Sequence, residues 1–218
     1  MSRADLGKDP EEVSAMFDGV AKRYDILNDL LSLGRTKAWR KIATKIIAPK
    51  SGMKILDIAA GTGSSSRPLK DAGADVIPLD FSKGMLQAGK QRNPDLPFTQ
   101  GDALNLPFKE NEFDVTTISF GLRNTNNIEK ALSEALRVTK SGGRIVVVEF
   151  SHPTNKIFRT IYMKYLMRAL PKIARATSSN PAAYVYLAES IMAWPNQKDL
   201  RSEEHTSELQ SRLHLVCR

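Results

Sequence analysis

A glycine-rich turn after a short apolar run constrains the fold of this chain more than any other feature. The run is LDIAAGTG, residues 56–63, and a polar segment that can form a helix follows it directly. Glycine permits a sharp turn and a close approach of a ligand to the backbone, because it has no Cβ. In α/β proteins the crevice at the carboxyl end of such a strand binds ligands. A lone G-x-G is weak evidence, so the rest of the chain has to support the interpretation.

Apolar runs and helix-forming segments alternate on both sides of this turn. The apolar runs are MKILDIAA, ADVIPLD, LPFTQGDA, FDVTTISFGL and RIVVVEF. The amphipathic segment NIEKALSEALRVTK is predicted to be a helix that ends at Ser141-Gly142-Gly143. Runs that are apolar throughout are typical of parallel strands buried on both faces. The pattern predicts an α/β, Rossmann-like domain: a central, mostly parallel, twisted sheet with helices on both faces, plus N-terminal and inserted helices.

Length and composition limit the classes of protein to which the chain can belong. With 218 residues, of which 41% are hydrophobic and 26% charged, it suits one α/β domain. The sequence shows no apolar run of about 18 residues and no secretory leader, which disfavours a membrane-spanning or exported protein. The one cysteine, Cys217, excludes an intrachain disulfide and a cysteine-rich metal site. We expect a cytoplasmic protein without a bound metal.

The last residues, RSEEHTSELQSRLHLVCR at 201–218, differ from the rest of the chain. They show no hydrophobic periodicity and contain the one cysteine and two of the three histidines. The run resembles the translation of a sequencing-library adapter, so we interpret it as an artefactual tail after a C-terminally incomplete domain at 1–200. We expect the tail to be poorly packed and RIVVVEF to lie at or near an unprotected edge of the sheet. A natural polar tail is the alternative.

The carboxylate at the end of the second apolar run helps to identify the class of cofactor. Asp80 can accept hydrogen bonds from both hydroxyls of a ribose, although a turn or cap residue is the alternative. A dinucleotide site needs a third glycine where Ser66 stands. Asp57, in the strand before the turn, suits a cationic ligand better than a phosphate. S-adenosylmethionine is therefore favoured, with an NAD-dependent oxidoreductase or another small-molecule methyltransferase as alternatives.

Several blocks of sequence resemble the UbiE/MenG/COQ5 family of demethylmenaquinone and ubiquinone-precursor C-methyltransferases. The resemblance extends from about Val13 to Leu200. The blocks YDILNDLLS (24–32) and TISFGLRN (117–124) are specific to that family, whereas LDIAAGTG and GDALNLPF occur in many class I methyltransferases. The resemblance implies methyl transfer from S-adenosylmethionine to a ring carbon of demethylmenaquinol, giving menaquinol. It leaves a ubiquinone precursor open as a second acceptor.

The resemblance also implies which residues contact the cofactor. These are Gly61, Thr62 and Gly63 around the methionine part, Asp80 at the ribose, Asp102 and Ala103 at the adenine, and Ser119 near the reacting methyl group. The charge argument adds Asp57 to the predicted cofactor-binding residues. A turn residue is the alternative for Asp102, since aspartate is common in turns. Strand packing is the alternative for Ser119.

Methyl transfer to carbon requires alignment of an electron-rich ring carbon and stabilisation of the phenolate oxygen. Arg123, just past the fourth strand, is the candidate for the cation at that oxygen, and Asn124 for orienting it. Tyr24 and Asp25 are candidates for closing the site and relaying a proton. The alternatives are a surface ion pair for Arg123 and a core aromatic for Tyr24.

Part of the formal net charge of +8 lies at 155–175, and the chain has no aspartate or glutamate between 151 and 188. A basic amphipathic segment is typical of binding to a membrane surface, which suits a lipophilic polyprenyl quinol. A packed helix with a solvated basic face is the alternative. Nucleic acid is disfavoured, because no recognised binding motif is present. The sequence does not fix the oligomeric state, and a homo-oligomer is compatible with it.

Overall fold

The computed structural model describes residues 6–21, 24–32, 34–150, 156–169, 172–173, 175, 180–194, 211 and 213–217. Its centre is a six-stranded sheet in the order β3-β2-β1-β4-β5-β6, with every neighbouring pair parallel. The strands are β1 Lys54–Ile58, β2 Asp75–Asp80, β3 Thr99–Gln100, β4 Phe113–Ser119, β5 Thr139–Glu149 and β6 Leu213–Cys217.

Helices cover the two faces of this sheet and its carboxyl-terminal edge. They are α1 Pro10–Asp18, α2 Tyr24–Leu31, α3 Arg35–Ile47, α4 Ser66–Asp71, α5 Lys83–Arg92, α6 Ile128–Val138, α7 Lys156–Lys164 and α8 Pro181–Ala193. A 3-10 turn at Leu122–Asn124 follows β4, and a π-helical turn at Tyr165–Ala169 continues α7. None of the described helices is long and apolar enough to cross a membrane.

The apolar runs form the predicted parallel strands because both faces of the sheet are covered. In β1 every residue after Lys54 is buried. Leu56 and Ile58 belong to one core cluster and Ile55 to another, so alternate side chains enter different layers. A third cluster joins α1, α5 and α8, which places α1 against the domain beside the carboxyl ends of the strands.

Polar caps fix where the main helices begin. The Asp9 carboxylate accepts from the N–H groups of Glu11 and Glu12 at the start of α1. At the start of α5, the Ser82 hydroxyl accepts from Met85 N–H at 3.1 Å. Such side-chain acceptors satisfy backbone donors that have no partner inside a helix. The Ser82 cap also fixes the loop after β2, which forms part of the site.

The helix predicted at NIEKALSEALRVTK is confirmed as α6, but it ends at Val138 and not at Ser141-Gly142-Gly143. β5 already begins at Thr139 and includes these residues. Phe113 pairs with Thr139 and Val115 with Arg144, so β5 bulges between the two pairs. A side chain at Gly143 would place its Cβ 2.7 Å from the Asp114 carbonyl oxygen, so the glycine here permits close backbone approach.

The tail also departs from expectation. Leu213–Cys217 forms β6, which pairs with β5 in parallel register from Ile145 to Glu149. The expectation that β5 lies at or near an unprotected edge of the sheet is therefore wrong, because Leu213–Cys217 pairs with it. LHLVC has the apolar and β-branched residues that a strand needs, and β5 offers it a free row of backbone donors and acceptors. Residues 201–210 lie outside the described part of the chain.

Candidate functional site

A cavity of about 680 Å³ lies at the carboxyl ends of β1, β2 and β4. Its floor is formed by the loops that follow these strands, and its sides by residues of α1, α2, α3, α7 and α8. The volume lies in the range of small-molecule sites. The predicted site residues that line it are Tyr24, Asp25, Gly61, Thr62, Asp80, Asp102, Ala103, Ser119, Arg123 and Asn124.

The Asp80 carboxylate connects two of the loops at the cavity floor. Its Oδ2 accepts from Gly61 N–H at 2.7 Å, and its Oδ1 accepts from Ser82 N–H at 2.8 Å. Burial raises the pKa of Asp80, and the backbone N–H donors act in the opposite direction. Gly61 has φ +58° and open space where a Cβ would stand. The cavity floor therefore has a hydrogen-bonding carboxylate and, beside it, open space over the backbone of Gly61.

Asp102, Ala103 and Ser119 lie further along the same edge. Asp102 and Ala103 follow β3, and Ser119 is the last residue of β4. One oxygen of Asp102 accepts from Leu104 N–H at 2.8 Å, so the turn that was weighed as its alternative is present. All three residues nevertheless line the cavity, so the turn at Asp102 is compatible with contact between this residue and a ligand.

Asp57 and Gly63, by contrast, lie beneath the turn and are not among the residues that line the cavity. Asp57 is fully buried, and its Oδ2 accepts from the Ser66 hydroxyl at 2.6 Å. Burial raises the pKa of Asp57 to about 7. A Cβ on Gly63 would stand 2.7 Å from the Phe98 ring, so this glycine allows close packing under the turn. Both residues support the turn from below.

The Asp25 carboxylate joins α2 to the glycine-rich turn. Its two oxygens accept from the hydroxyls of Thr62 at 2.6 Å and Ser64 at 2.7 Å. They also contact the guanidinium groups of Arg92 and, at 3.5 Å, Arg40. Sequence reasoning found Asp25 but missed the two arginines, since nothing in their spacing links α3 and α5 to α2. This one carboxylate therefore links α2 and α3 to the glycine-rich turn and to α5.

Tyr24 lies beside this carboxylate at the start of α2. Its ring meets Phe17 edge-on with 5.9 Å between the centroids, and it also lines the cavity. Burial raises the pKa of Tyr24, while the positive charge of Arg123 lowers it. A phenol is neutral near pH 7 already at its ordinary pKa, and the upward shift keeps it neutral at higher pH, so the side chain can donate a hydrogen bond.

Arg123 is buried at the end of the cavity nearest β4 and β5, with 3% of its surface exposed, so it is not the surface ion pair that was weighed as an alternative. Its Nη1 lies 2.8 Å from the carboxylate of Glu149, which is also buried. The guanidinium further contacts the Phe120 carbonyl oxygen and lies over the Phe150 ring, 5.2 Å from its centroid. Sequence reasoning missed Glu149, which reads as an ordinary last residue of an apolar strand.

Two buried polar atoms near this ion pair have no hydrogen-bond partner within the described chain. They are Nε of Arg123, a donor, and Oδ1 of Asn124, an acceptor. Buried polar atoms are nearly always satisfied, and both atoms belong to residues that line the cavity, so they are candidates for hydrogen bonds to a ligand. Together they would suit a hydroxyl or its anion.

Aromatic side chains form an adjoining wall that the sequence analysis did not identify. The centroid of Phe120 lies 5.7 Å from that of Trp39 and 4.9 Å from that of Phe150. Tyr162 and Tyr165 of the α7 region line the cavity as well. Phe120 lies inside the block TISFGLRN, and Phe150 directly follows β5. Their positions after strands were the sequence feature that could have indicated them as site residues. The wall offers flat apolar surface to an aromatic ligand.

Solved structures share this fold. A SAM-dependent methyltransferase from Aquifex aeolicus superposes with a TM-score of 0.51 at 18% identity, over 61% of this chain and 75% of that one. The YcgJ protein of Bacillus subtilis gives a TM-score of 0.53 at 19% identity, over 80% of this chain and 86% of that one. At these identities the likeness concerns the fold alone, and it confirms the predicted Rossmann-like architecture.

Curated relatives are much more similar in sequence. Proteins named demethylmenaquinone methyltransferase from Renibacterium salmoninarum and Streptomyces avermitilis are 61% and 60% identical over 200 residues. The alignments cover 92% of this chain and 84% and 87% of those proteins. The profile of the ubiE/COQ5 methyltransferase family matches residues 5–210. The chain therefore belongs to the ubiE/COQ5 methyltransferase family, as its sequence blocks predict.

Proposed function

We propose that this enzyme transfers the methyl group of S-adenosylmethionine to a ring carbon of demethylmenaquinol and so produces menaquinol. The names of the relatives support this reaction. The observation that carries it in the structure is one cavity with a ribose-type carboxylate, Asp80, on its floor and the buried cation Arg123 in its wall. Methylation of a quinol needs a cation such as Arg123 at the ring oxygen. An NAD-dependent oxidoreductase would instead need a phosphate site, which the glycine-rich turn does not offer.

The residues on the cavity floor fit S-adenosylmethionine. Asp80 can accept from the ribose hydroxyls, and the open space over Gly61 admits the chain that leads to the sulfonium. The other oxygen of Asp102 and the backbone of Ala103 would hold the adenine, and Ser119 would lie near the methyl group. When bound, S-adenosylmethionine supplies a methyl group activated by a positively charged sulfur. The protein has to orient it and exclude water.

Arg123 and Asn124 would hold the reacting ring through one of its oxygens. The unpartnered Nε–H of Arg123 can donate to a phenolate oxygen, and Asn124 can accept from the hydroxyl before its proton leaves. Glu149 fixes the guanidinium on one side, so its remaining donors are held in place without reorganisation. A phenolate makes the adjacent ring carbon electron-rich, which is what attack on the methyl group requires.

Tyr24 and Asp25 would have different parts in this site. The oxygens of Asp25 already accept from two hydroxyls and contact two guanidinium groups, so they have little capacity left for a proton. This arrangement favours the closing role for Asp25. Tyr24 stays neutral and lies in the cavity wall, which suits a donor in a proton relay to water or to the ring oxygen.

The acceptor is distinguished by its ring and by its redox state. The wall formed by Trp39, Phe120 and Phe150 can stack against the two fused rings of a naphthoquinol. We expect methyl transfer to short-chain demethylmenaquinol and none to the oxidised quinone, because only the quinol supplies an electron-rich carbon. Turnover with the quinone and not the quinol would contradict the mechanism. Titration with NAD serves as the control for the alternative class.

We further propose that the α7 region binds the surface of a membrane. Ile157 and Ile161 lie one helical turn apart and are 76% and 60% exposed. The side chains of Arg159, Lys164 and Arg168 are also exposed. Apolar and basic side chains on one segment favour anionic lipid surfaces. Ile161 also lines the cavity, so a polyprenyl tail could pass from the bilayer to the site along this segment.

A single exposed isoleucine tests this membrane proposal. Ile157→Glu should reduce sedimentation with phosphatidylglycerol vesicles, because Ile157 is exposed and does not line the cavity. Ile26→Glu is the matched control, since Ile26 is 68% exposed on α2. Equal vesicle binding by both variants and the unmodified protein would contradict a surface on α7. Methyl transfer to a short-chain quinol should be the same in both variants.

A further inference from the structure

We infer that Arg40 binds the carboxylate at the methionyl end of S-adenosylmethionine, and that Asp25 holds its guanidinium in place beforehand. The inference rests on the proposed use of this cofactor. The proposed contact comes from helix α3, which is separate from the glycine-rich turn and from the strand ends that would hold the rest of the cofactor.

The direction of the cofactor follows from the order of the strands. Asp102 and Ala103 follow β3, Asp80 ends β2, and the glycine-rich turn follows β1, and these strands are neighbours in that order. An adenosine held by the first two sites therefore extends its amino-acid end across the turn toward β4. The groups that face that end have to come from the helices above the turn, which are α2 and α3.

Cationic side chains that line the described cavity are Lys8, Arg35, Arg40 and Arg123. Arg123 is committed to Glu149 at another part of the wall. Arg35 is exposed at the start of α3, and Lys8 precedes α1. Arg40 is the one that shares a partner with the turn, because Asp25 contacts both its guanidinium and the hydroxyls of Thr62 and Ser64. It is therefore the cation best placed for an anion above the turn.

The contact between Arg40 and Asp25 is loose enough to be exchanged. Nη2 of Arg40 lies 3.5 Å from Oδ1, at the limit of a hydrogen bond. Without Arg40, Asp25 would still accept from Thr62, Ser64 and Arg92, so the exchange leaves no buried carboxylate without partners. Arg40 is 21% exposed in its side chain, so much of its hydration is already lost.

The charge of this cluster fits the ligand. Two guanidinium groups, of Arg40 and Arg92, meet the single carboxylate of Asp25, so these three side chains together carry one net positive charge. A guanidinium binds a carboxylate through two parallel hydrogen bonds, which a lysine ammonium cannot reproduce. The amino-acid end of S-adenosylmethionine carries a carboxylate and an ammonium, and a cluster that holds both signs of charge can receive both groups.

The test compares two ligands that differ only at this end. S-adenosylhomocysteine has the amino-acid group, and 5′-methylthioadenosine lacks it. Arg40→Gln should weaken S-adenosylhomocysteine about 10- to 100-fold, the range for a hydrogen bond to a charged group. Affinity for 5′-methylthioadenosine should stay within about twofold. Arg40→Lys should recover only part of the loss.

Arg92→Gln is the matched control, because Arg92 contacts the same carboxylate but does not line the cavity. We expect it to change the two affinities by the same factor. Equal losses for both ligands in Arg40→Gln would show that Arg40 only supports the closed helices, and unchanged affinities would remove it from the site. Failure of the unmodified protein to bind either ligand would instead contradict the proposed function.

Discussion

Arg123 and Glu149 form a buried ion pair, with Nη1 and Oε1 2.8 Å apart, where the cavity meets the ends of β4 and β5. Glu149 also accepts from the backbone N–H of Phe150 at 3.0 Å. Removing one partner of such a pair costs about 3–5 kcal/mol, because it leaves a buried charge without compensation. The pair therefore has a structural and a chemical role, and experiments have to separate them.

Arg123→Ala should lower kcat by about 10²–10³ while the affinity for S-adenosylmethionine stays near normal. The reason is that the proposed contact to the phenolate exists mainly in the transition state. Arg123→Lys should recover part of the rate. The alanine variant also leaves the buried carboxylate of Glu149 without its partner. The double variant Arg123→Met with Glu149→Met therefore serves as the control for the fold. Near-normal kcat in a folded Arg123→Ala variant would contradict the role.

Asp80→Asn should weaken S-adenosylmethionine by about 1.5–3 kcal/mol, since the neutral amide is a poorer acceptor for ribose hydroxyls. Titration calorimetry measures this directly. Asp75→Asn is the control, because Asp75 begins the same strand and is exposed. Unchanged affinity in Asp80→Asn would place the ribose elsewhere.

Asp57 should make the protein less stable as the pH rises. Its pKa in the folded chain is about 7, because burial disfavours the charge, against about 3.9 when unfolded. Between these values the folded state retains a proton that the unfolded state has lost. The contribution of Asp57 to the free energy of unfolding therefore falls from about pH 4 to 7 and is constant above that.

Asp57→Asn cannot ionise but keeps an acceptor for the Ser66 hydroxyl, so it should remove this decline. Urea unfolding at several pH values should show the variant gaining stability over the unmodified protein as pH rises. Asp75→Asn again controls for the loss of one carboxylate. A parallel pH profile for Asp57→Asn and the unmodified protein would show that burial does not set the protonation of Asp57.

The two glycines of the turn should respond differently to alanine. Gly63→Ala should lower the melting temperature strongly, because its φ is +77° and the new Cβ would meet the Phe98 ring at 2.7 Å. Gly61→Ala has open space around the Cβ and should cost only the strain of φ +58°, about 1–2 kcal/mol. Its main effect should be weaker cofactor binding, because Gly61 lines the cavity. Thermal melting and calorimetry on both variants distinguish these outcomes.

The sequence predicted the architecture well, because β1, β2 and β5 contain continuous apolar runs and helix-forming segments separate the strands. It predicted poorly where tertiary pairing overrides local signals. Gly142 and Gly143 resemble a helix end but lie in a bulge of β5. Leu213–Cys217 lacks helical periodicity, yet β5 provides a partner for it.

The site was predictable only in part, for a related reason. Residues that follow strands converge at one edge of a parallel sheet, which is why Asp80 and Arg123 were found from position. Asp102 and Ser119 were named from the family resemblance. Partners that come from other elements leave no local signal. Glu149 and Arg40 reach their contacts through the packing of β5 against β4 and of α3 against α2.

The most direct test of the central claim is the position of the transferred carbon. The unmodified protein is incubated with S-adenosylmethionine labelled with ¹³C in its methyl group and a short-chain demethylmenaquinol, and the product is examined by NMR. The account predicts a labelled methyl group on the ring carbon, with the Asp80→Asn variant forming it more slowly at limiting cofactor. Label on a quinol oxygen, or no labelled product from a protein that binds both ligands, would contradict it.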